Sequence, residues 1–172
     1  MSAPFIKITL EDTTGLAQKL RSAASGDFKE EFTLFIESIG YEFLRILQDE
    51  IIRRNVVDSR LLLNSFSKGD EDNVWNISDG GMTLEVGTNV SYAVFVNDGH
   101  WMNPQGVAMR FVPGYWRGGR FVHTPGASSG MMLKQQWVEG AHYWEASIRI
   151  LEKILPKWLE AKVQQWINSY FS

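Results

Sequence analysis

Asp98-Gly99-His100 sets a carboxylate and an imidazole on either side of a glycine, the pairing that a general base and its orienting partner need. No G-x-S-x-G motif supplies a nucleophile for such a pair. An Asn-Asp-Gly turn closing a strand is also ordinary turn chemistry, and that reading is favoured. His100, His123 and His142 are the three imidazoles, and their separation lacks the i, i+4 spacing of a zinc site. Gly114-Tyr-Trp-Arg-Gly-Gly119 is glycine-rich, yet it has no Gly-Lys-Ser/Thr ending, so a flexible turn explains it better than a phosphate cradle. No residue set specifies a catalyst, a metal or a cofactor, and none is expected.

The same region poses a different question. Trp101, Phe111, Tyr115, Trp116 and Phe121 fall in a stretch broken by glycines and prolines, and something must cover them. The candidates are the chain's own core, another copy, a nucleic acid or a bound substrate. Residues 99–138 hold no acid and four bases, Arg110, Arg117, Arg120 and Lys134, whereas residues 1–98 hold sixteen acids against nine bases. Arginine among aromatics suits single-stranded nucleic acid. Arg, Trp and Tyr are also enriched at the centres of protein interfaces, and four bases in forty residues is a modest density. An interface is therefore favoured over packing within the chain, and both over nucleic acid. Trp101, Phe111, Tyr115, Trp116 and Phe121, with Arg117 and Arg120, are the expected contacts; Arg110, Arg117 and Arg120 are the bases that would face DNA.

These residues need a scaffold. From Asp27 to about Val56, Phe28, Phe32, Phe35 or Ile36, Ile39, Phe43, Ile46 or Leu47 and Ile51 recur at steps of three and four, predicting a helix of about 45 Å. Gly40 falls inside it, at a cost near 1 kcal/mol relative to alanine. Asp58 or Ser59 can cap a short turn over 61–66. Val74–Ile77, Gly80–Val86 and Ala93–Val96 read as the strands of an antiparallel meander. Phe5–Leu10 reads as a short strand or lead-in, and a further short strand fits either Phe121–Val122 or Met109–Val112. A helix is predicted over 136–154, and Pro156 either opens a third helix over 157–170 or kinks the second. With no βαβ alternation the class is α+β: a long N-terminal helix, a small antiparallel sheet with a long inserted loop, and C-terminal helices. One domain over 1–172 is expected, divided as helix 27–56, meander 74–96, aromatic and basic loop 97–135, and helices 136–170.

Composition narrows the class further. The chain has no cysteine, which excludes disulfides and thiolate metal sites. No apolar run approaches the roughly 18 residues that cross a bilayer, and the N-terminus lacks the features of a signal peptide, so synthesis in the cytoplasm is expected. The net charge of −3 argues against a protein that coats nucleic acid generically.

Three landmarks in order carry a resemblance. Val57-Asp-Ser-Arg-Leu-Leu-Leu-Asn-Ser-Phe66 resembles the segment after the first helix of the tail-component family of long-tailed bacteriophages, with Asp58-Ser59 where Thr-Gly is usual. Val86-Gly-Thr-Asn-Val-Ser-Tyr-Ala-Val-Phe-Val-Asn-Asp-Gly-His100 is similar to that family's VGTNVxYAxxVExGH, with Asn97-Asp98 for the common Glu. The closing helices resemble the family's C-terminal part in position and amphipathic character. Residues 101–135 depart from the short ending of the family motif and look like an enlarged insertion. The resemblance implies an α+β virion protein without catalysis, a tail-completion, tail-terminator or head–tail neck component of a phage, a prophage or a headless tail-like particle. It implies a homo-oligomeric ring, taken as a hexamer, that contacts connector and tail-tube proteins. DNA at most passes through the lumen, and no membrane is involved. Assembly would take place in the bacterial host cytoplasm. Leu61, Ser65, Gly87, Tyr92, Ala93, Gly99 and His100 are then structural motif residues.

Overall fold

The structure, a computed structural model, describes residues 5–9, 26–56 and 60–170. The predicted first helix is α1 (Gly26–Arg53). Its buried stripe is Ile36, Ile39, Phe43, Leu47 and Ile51, all fully buried, as the three-and-four spacing requires. Phe28 lies outside the residues whose side chains are described. Gly40 does not break the helix. A β-carbon there would sit 2.4 Å from Leu84 and 2.8 Å from Trp75, so the missing side chain lets a strand approach the helix backbone.

That strand is β3 (Thr83–Thr88), paired antiparallel with β2 (Asn73–Ser78) and with β1 (Phe5–Thr9) in the order β1-β3-β2. The β2–β3 turn is a 3₁₀ segment, Asp79–Gly81, in which the Asp79 carboxylate accepts from the Thr83 hydroxyl at 2.7 Å. The expected cap at Asp58 or Ser59 lies outside the described residues; α2 (Leu61–Asn64) begins after Arg60, which has φ 63° and makes no side-chain cap.

Two expectations fail around residue 95 and residue 140. Ala93–Val96 is not a strand but part of helix α3 (Ala93–Asp98). The edge of β3 that a third meander strand would use is taken by Phe5–Thr9, and Ala93 and Asn97 instead bury one helical face at i and i+4. At the C-terminus there is one helix, α4 (Tyr143–Tyr170), which starts seven residues later than the sequence suggests and runs through Pro156. Pro156 is exposed, and proline there removes one helical hydrogen bond. Helices α1 and α4 pack together through Phe32 and Phe35, whose rings lie 5.6 and 5.9 Å from that of Trp166.

The chain divides into two compact units: Met1–Asn97 with Ala141–Ser172, here the body, and Asp98–Gly140, here the insert. Every residue of the buried apolar cluster belongs to the body. The insert, expected as a loop, is largely strand. It contains β4 (Gly99–Trp101) paired with β8 (Trp137–Glu139), and a three-stranded antiparallel sheet of order β6-β5-β7. The latter is built from β5 (Met109–Arg117), β6 (Arg120–His123) and β7 (Gly130–Lys134). Pro113-Gly114 reads as a break in sequence, yet it lies inside β5. Residues 109–113 pair with β7 and residues 114–117 with β6, so the proline stands where the strand changes partners and a missing N–H costs least.

Candidate functional site

The two sequence motifs meet in the body through one hydrogen-bond chain. The Thr88 hydroxyl donates to Ser65 Oγ at 2.7 Å, Ser65 Oγ donates to the Leu62 carbonyl at 2.9 Å, and the Val90 N–H donates to Thr88 Oγ1 at 3.1 Å. Ser65 and Thr88 are buried, so each satisfied hydroxyl avoids the cost of an unpaired polar group. Gly87 and Ala93 are buried, Tyr92 packs against the core, and Leu61 is exposed. Gly99 opens β4 with φ 88°, and a β-carbon there would lie 2.5 Å from the Val138 carbonyl oxygen, so only glycine fits.

Asp98 and the three histidines fall at separate places in the fold. Asp98 ends α3, His100 lies on β4 opposite Val138, His123 ends β6, and His142 precedes α4 with φ 51°. No group of three His, Cys, Asp or Glu side chains able to hold a metal ion forms among the described residues. Of the glycines in 114–119, Gly114 is inside β5. Gly118 and Gly119, with φ 56° and 79°, form the two-residue hairpin turn between β5 and β6.

Register divides the aromatic residues between two faces of the insert sheet. Alternation along β5 puts Met109, Phe111, Tyr115 and Arg117 on one face and Arg110, Val112 and Trp116 on the other. Cross-strand partners extend each face: Met132 stands opposite Phe111, Val122 opposite Tyr115, Arg120 opposite Arg117, and Phe121 opposite Trp116. The glycine contacts agree with this division. The Phe111 ring lies over Gly130 and the Phe121 ring over Gly114, each where a β-carbon would collide. Trp116 and Phe121 stack edge to face with centroids 5.5 Å apart. Trp101 is on neither face. It belongs to the β4–β8 ribbon, edge to face with Trp137 at 5.3 Å.

The first face is an apolar strip open to solvent. Met109, Phe111, Tyr115 and Met132 are each 48–53% exposed, and Lys134 stands beside Met109 at one end with Arg117 and Arg120 at the other. Trp116 on the second face is 64% exposed. Met109, Met132, Trp137 and Val138 are exposed contributors that the sequence reading missed. They become visible only when β5, β7 and β8 are paired. A three-stranded sheet is one layer, and a one-layer sheet with apolar residues on both faces needs a second layer that the insert does not contain.

The charges at the site are unpaired. No ion pair involves Arg110, Arg117, Arg120 or Lys134 among the described residues. Arg117 and Arg120 are direct cross-strand partners, a like-charge pair that disfavours the hairpin unless an anion faces it.

Comparison with known proteins follows the same division. Residues 16–99 match the family described as "Bacteriophage HK97-gp10, putative tail-component", and the match stops at the start of β4. The chain is 45% identical over 149 residues to phage-like element PBSX protein XkdI of Bacillus subtilis (strain 168), covering 87% of this chain and 91% of that protein. It is 46% identical over 157 residues to the uncharacterized protein YqbI of the same strain, covering 90% of this chain and 94% of that one. The residues left outside each match are fewer than the insert contains, so part of the insert is shared with both relatives. No solved structure matches the chain.

Proposed function

We propose, from the premise that this chain belongs to the HK97-gp10-like family of bacteriophage tail components, that it is a structural subunit of a ring at the head–tail neck or tail end. Its role is to complete the tail and join it to the connector, in a phage or a phage-like element, and it performs no catalysis. One observation carries the reading of the insert: a single-layer sheet exposes Phe111, Tyr115, Met132 and Trp116 with no covering layer inside its own unit. In a closed ring each copy presents one patch to a different patch on the next, and buried aromatic anchors are worth about 2 kcal/mol or more each. The joint variant Tyr115→Ala with Trp116→Ala is expected to keep its circular dichroism spectrum and to lose assembly into rings or particles. Normal assembly by that variant removes the insert from the interface.

The unpaired bases support a second reading, a nucleic-acid-binding accessory protein that uses Arg110, Arg117 and Arg120 as a clamp. Three phosphate contacts would make affinity fall on the order of fortyfold between 50 and 200 mM salt. The structural role predicts weak binding to duplex DNA that disappears over that range. Tight binding at 50 mM that is still measurable at 200 mM would favour the accessory role.

A further inference from the structure

We infer that Asn103 and Gln135 form a joint that fixes the aromatic sheet of the insert to its β4–β8 ribbon, so that the insert meets its partner as a preformed arm. The joint is a property of the free chain. Its consequence for assembly rests on the reading of the insert as a contact between copies.

The two strand pairs of the insert follow one another as an antiparallel ladder with one interruption. β4 pairs with β8, and β5 pairs with β7. Two residues, 135 and 136, separate β7 from β8, whereas seven, 102–108, separate β4 from β5. Extra residues on one strand disrupt a ladder and bend it. The two pairs would be able to swing about this point unless the excursion is closed at its base.

It is closed there by hydrogen bonds. The Met102 N–H donates to the Gln136 carbonyl at 3.0 Å, and the Gln135 N–H donates to the Ala108 carbonyl at 2.8 Å. The Val107 N–H donates to the Pro104 carbonyl at 3.1 Å, which turns the excursion back on itself. Asn103 and Gln135 then bond reciprocally. The Asn103 N–H donates to Gln135 Oε1 at 2.9 Å, and Gln135 Nε2 donates to the Asn103 carbonyl at 3.2 Å. Asn103 Nδ2 reaches further, to the Leu133 carbonyl of β7 at 2.9 Å. One residue just past the end of the ribbon thus holds the sheet directly.

Burial singles out the same residue. Asn103, 2% exposed, and Gly114 are the buried residues of the insert. Its one buried side chain is therefore an amide, bonded through Nδ2, while Oδ1 accepts no bond. Hydrogen bonds are directional, so amides tied to backbone groups select one arrangement where an apolar contact would tolerate several. A three-stranded sheet without a covering layer has little else to hold it. An arm ordered before contact also avoids the entropy loss of ordering during it.

The absence of cysteine from the sequence makes a clean test possible. The register of β4 with β8, continued by two residues, sets position 103 opposite position 135. The double variant Asn103→Cys with Gln135→Cys therefore lacks the joint when reduced and gains a covalent one when oxidised. In the reduced free subunit, hydrogen exchange at the Met102, β5 and β7 amides should be faster than wild type by about tenfold or more, with α1 unchanged. The concentration needed for assembly should rise by a similar factor, and oxidation should reverse both effects. Asn103→Asp, which keeps the shape but removes the donor to Leu133, should reproduce the faster exchange. The inference is overturned if the reduced variant exchanges like wild type, if no disulfide forms, or if oxidation restores protection without restoring assembly. Unprotected β5 and β7 amides in the wild-type free subunit would overturn it too, by showing an arm that orders on contact. If Tyr115→Ala with Trp116→Ala assembles normally, the interface reading fails, and exchange in the free subunit still decides the joint.

Discussion

Asn97 caps a helix to which it does not belong: its Oδ1 accepts the backbone N–H of Trp144 at 2.9 Å. Its Nδ2 donates to both carboxylate oxygens of Glu145, at 3.0 and 3.2 Å. Two backbone bonds, from Ala141 N–H to Val96 O at 2.8 Å and from His142 N–H to Asn97 O at 2.9 Å, hold the same junction. The residues that flank the insert in sequence are thus fastened to each other inside the body. The capping logic of a helix start is met by a residue about fifty positions upstream.

Asn97→Ala should therefore cost more than an ordinary surface change. It leaves the Trp144 N–H without its acceptor in a buried site, and about 1–2 kcal/mol of stability should be lost. Thermal melting should show a fall of several degrees. A melting temperature equal to wild type would mean that the junction holds without the cap.

Gly40→Ala tests the contact between α1 and β3. Helix propensity alone favours alanine by about 1 kcal/mol. The added methyl would meet Leu84 and Trp75 at 2.4 and 2.8 Å, and Leu84 is fully buried with little room to move. Overpacking costs about 1–3 kcal/mol, so the variant should be less stable on balance in urea denaturation. A stabilised variant would show that the core yields at this point.

Glu50 should contribute acid sensitivity. The Arg53 guanidinium bonded to it, joined by Arg54, holds its carboxyl below the ordinary value of 4.5 even though burial pushes the other way. A carboxyl whose folded value is depressed stabilises the fold above the unfolded value and loses that contribution as pH falls through the folded one. Stability should therefore decline below about pH 4.5, and Glu50→Gln should be weaker at neutral pH with a shallower decline on acidification. Parallel curves for the two proteins between pH 5 and pH 2 would assign the acid response to other groups.

Excising the insert should spare the body. Gly99 and Glu139 are paired across the ribbon, so an Asn-Gly turn can replace residues 100–138. Since the buried apolar cluster lies wholly in the body, the shortened chain should keep its helical circular dichroism and a cooperative melt. It should also fail to assemble. Loss of the cooperative melt would show that the body needs the insert in order to fold.

Helix α1 was legible because its signal is local: a stripe at three-and-four spacing, read within one stretch of chain. The β2–β3 pair was legible for the same reason, through two apolar runs joined by a glycine turn. Ala93–Val96 misled because β-branched residues favour strands in general, whereas the available edge of β3 was already filled from the N-terminus. The aromatic residues of the insert were found by type, but not by role. Phe111 and Tyr115 share a face that Trp116 and Phe121 do not, and Met132 joins the first pair from another strand.

The sequence by itself determined the long amphipathic helix, the kinship of the first hundred residues, and the separation of basic aromatic residues from acidic ones. Each is a property of residue type or short-range spacing. The tertiary structure alone decided which side chains share a surface, where α3 replaces a strand, and which residue caps α4. Those outcomes depend on pairing between segments tens of residues apart, where one position of register turns every side chain to the opposite face.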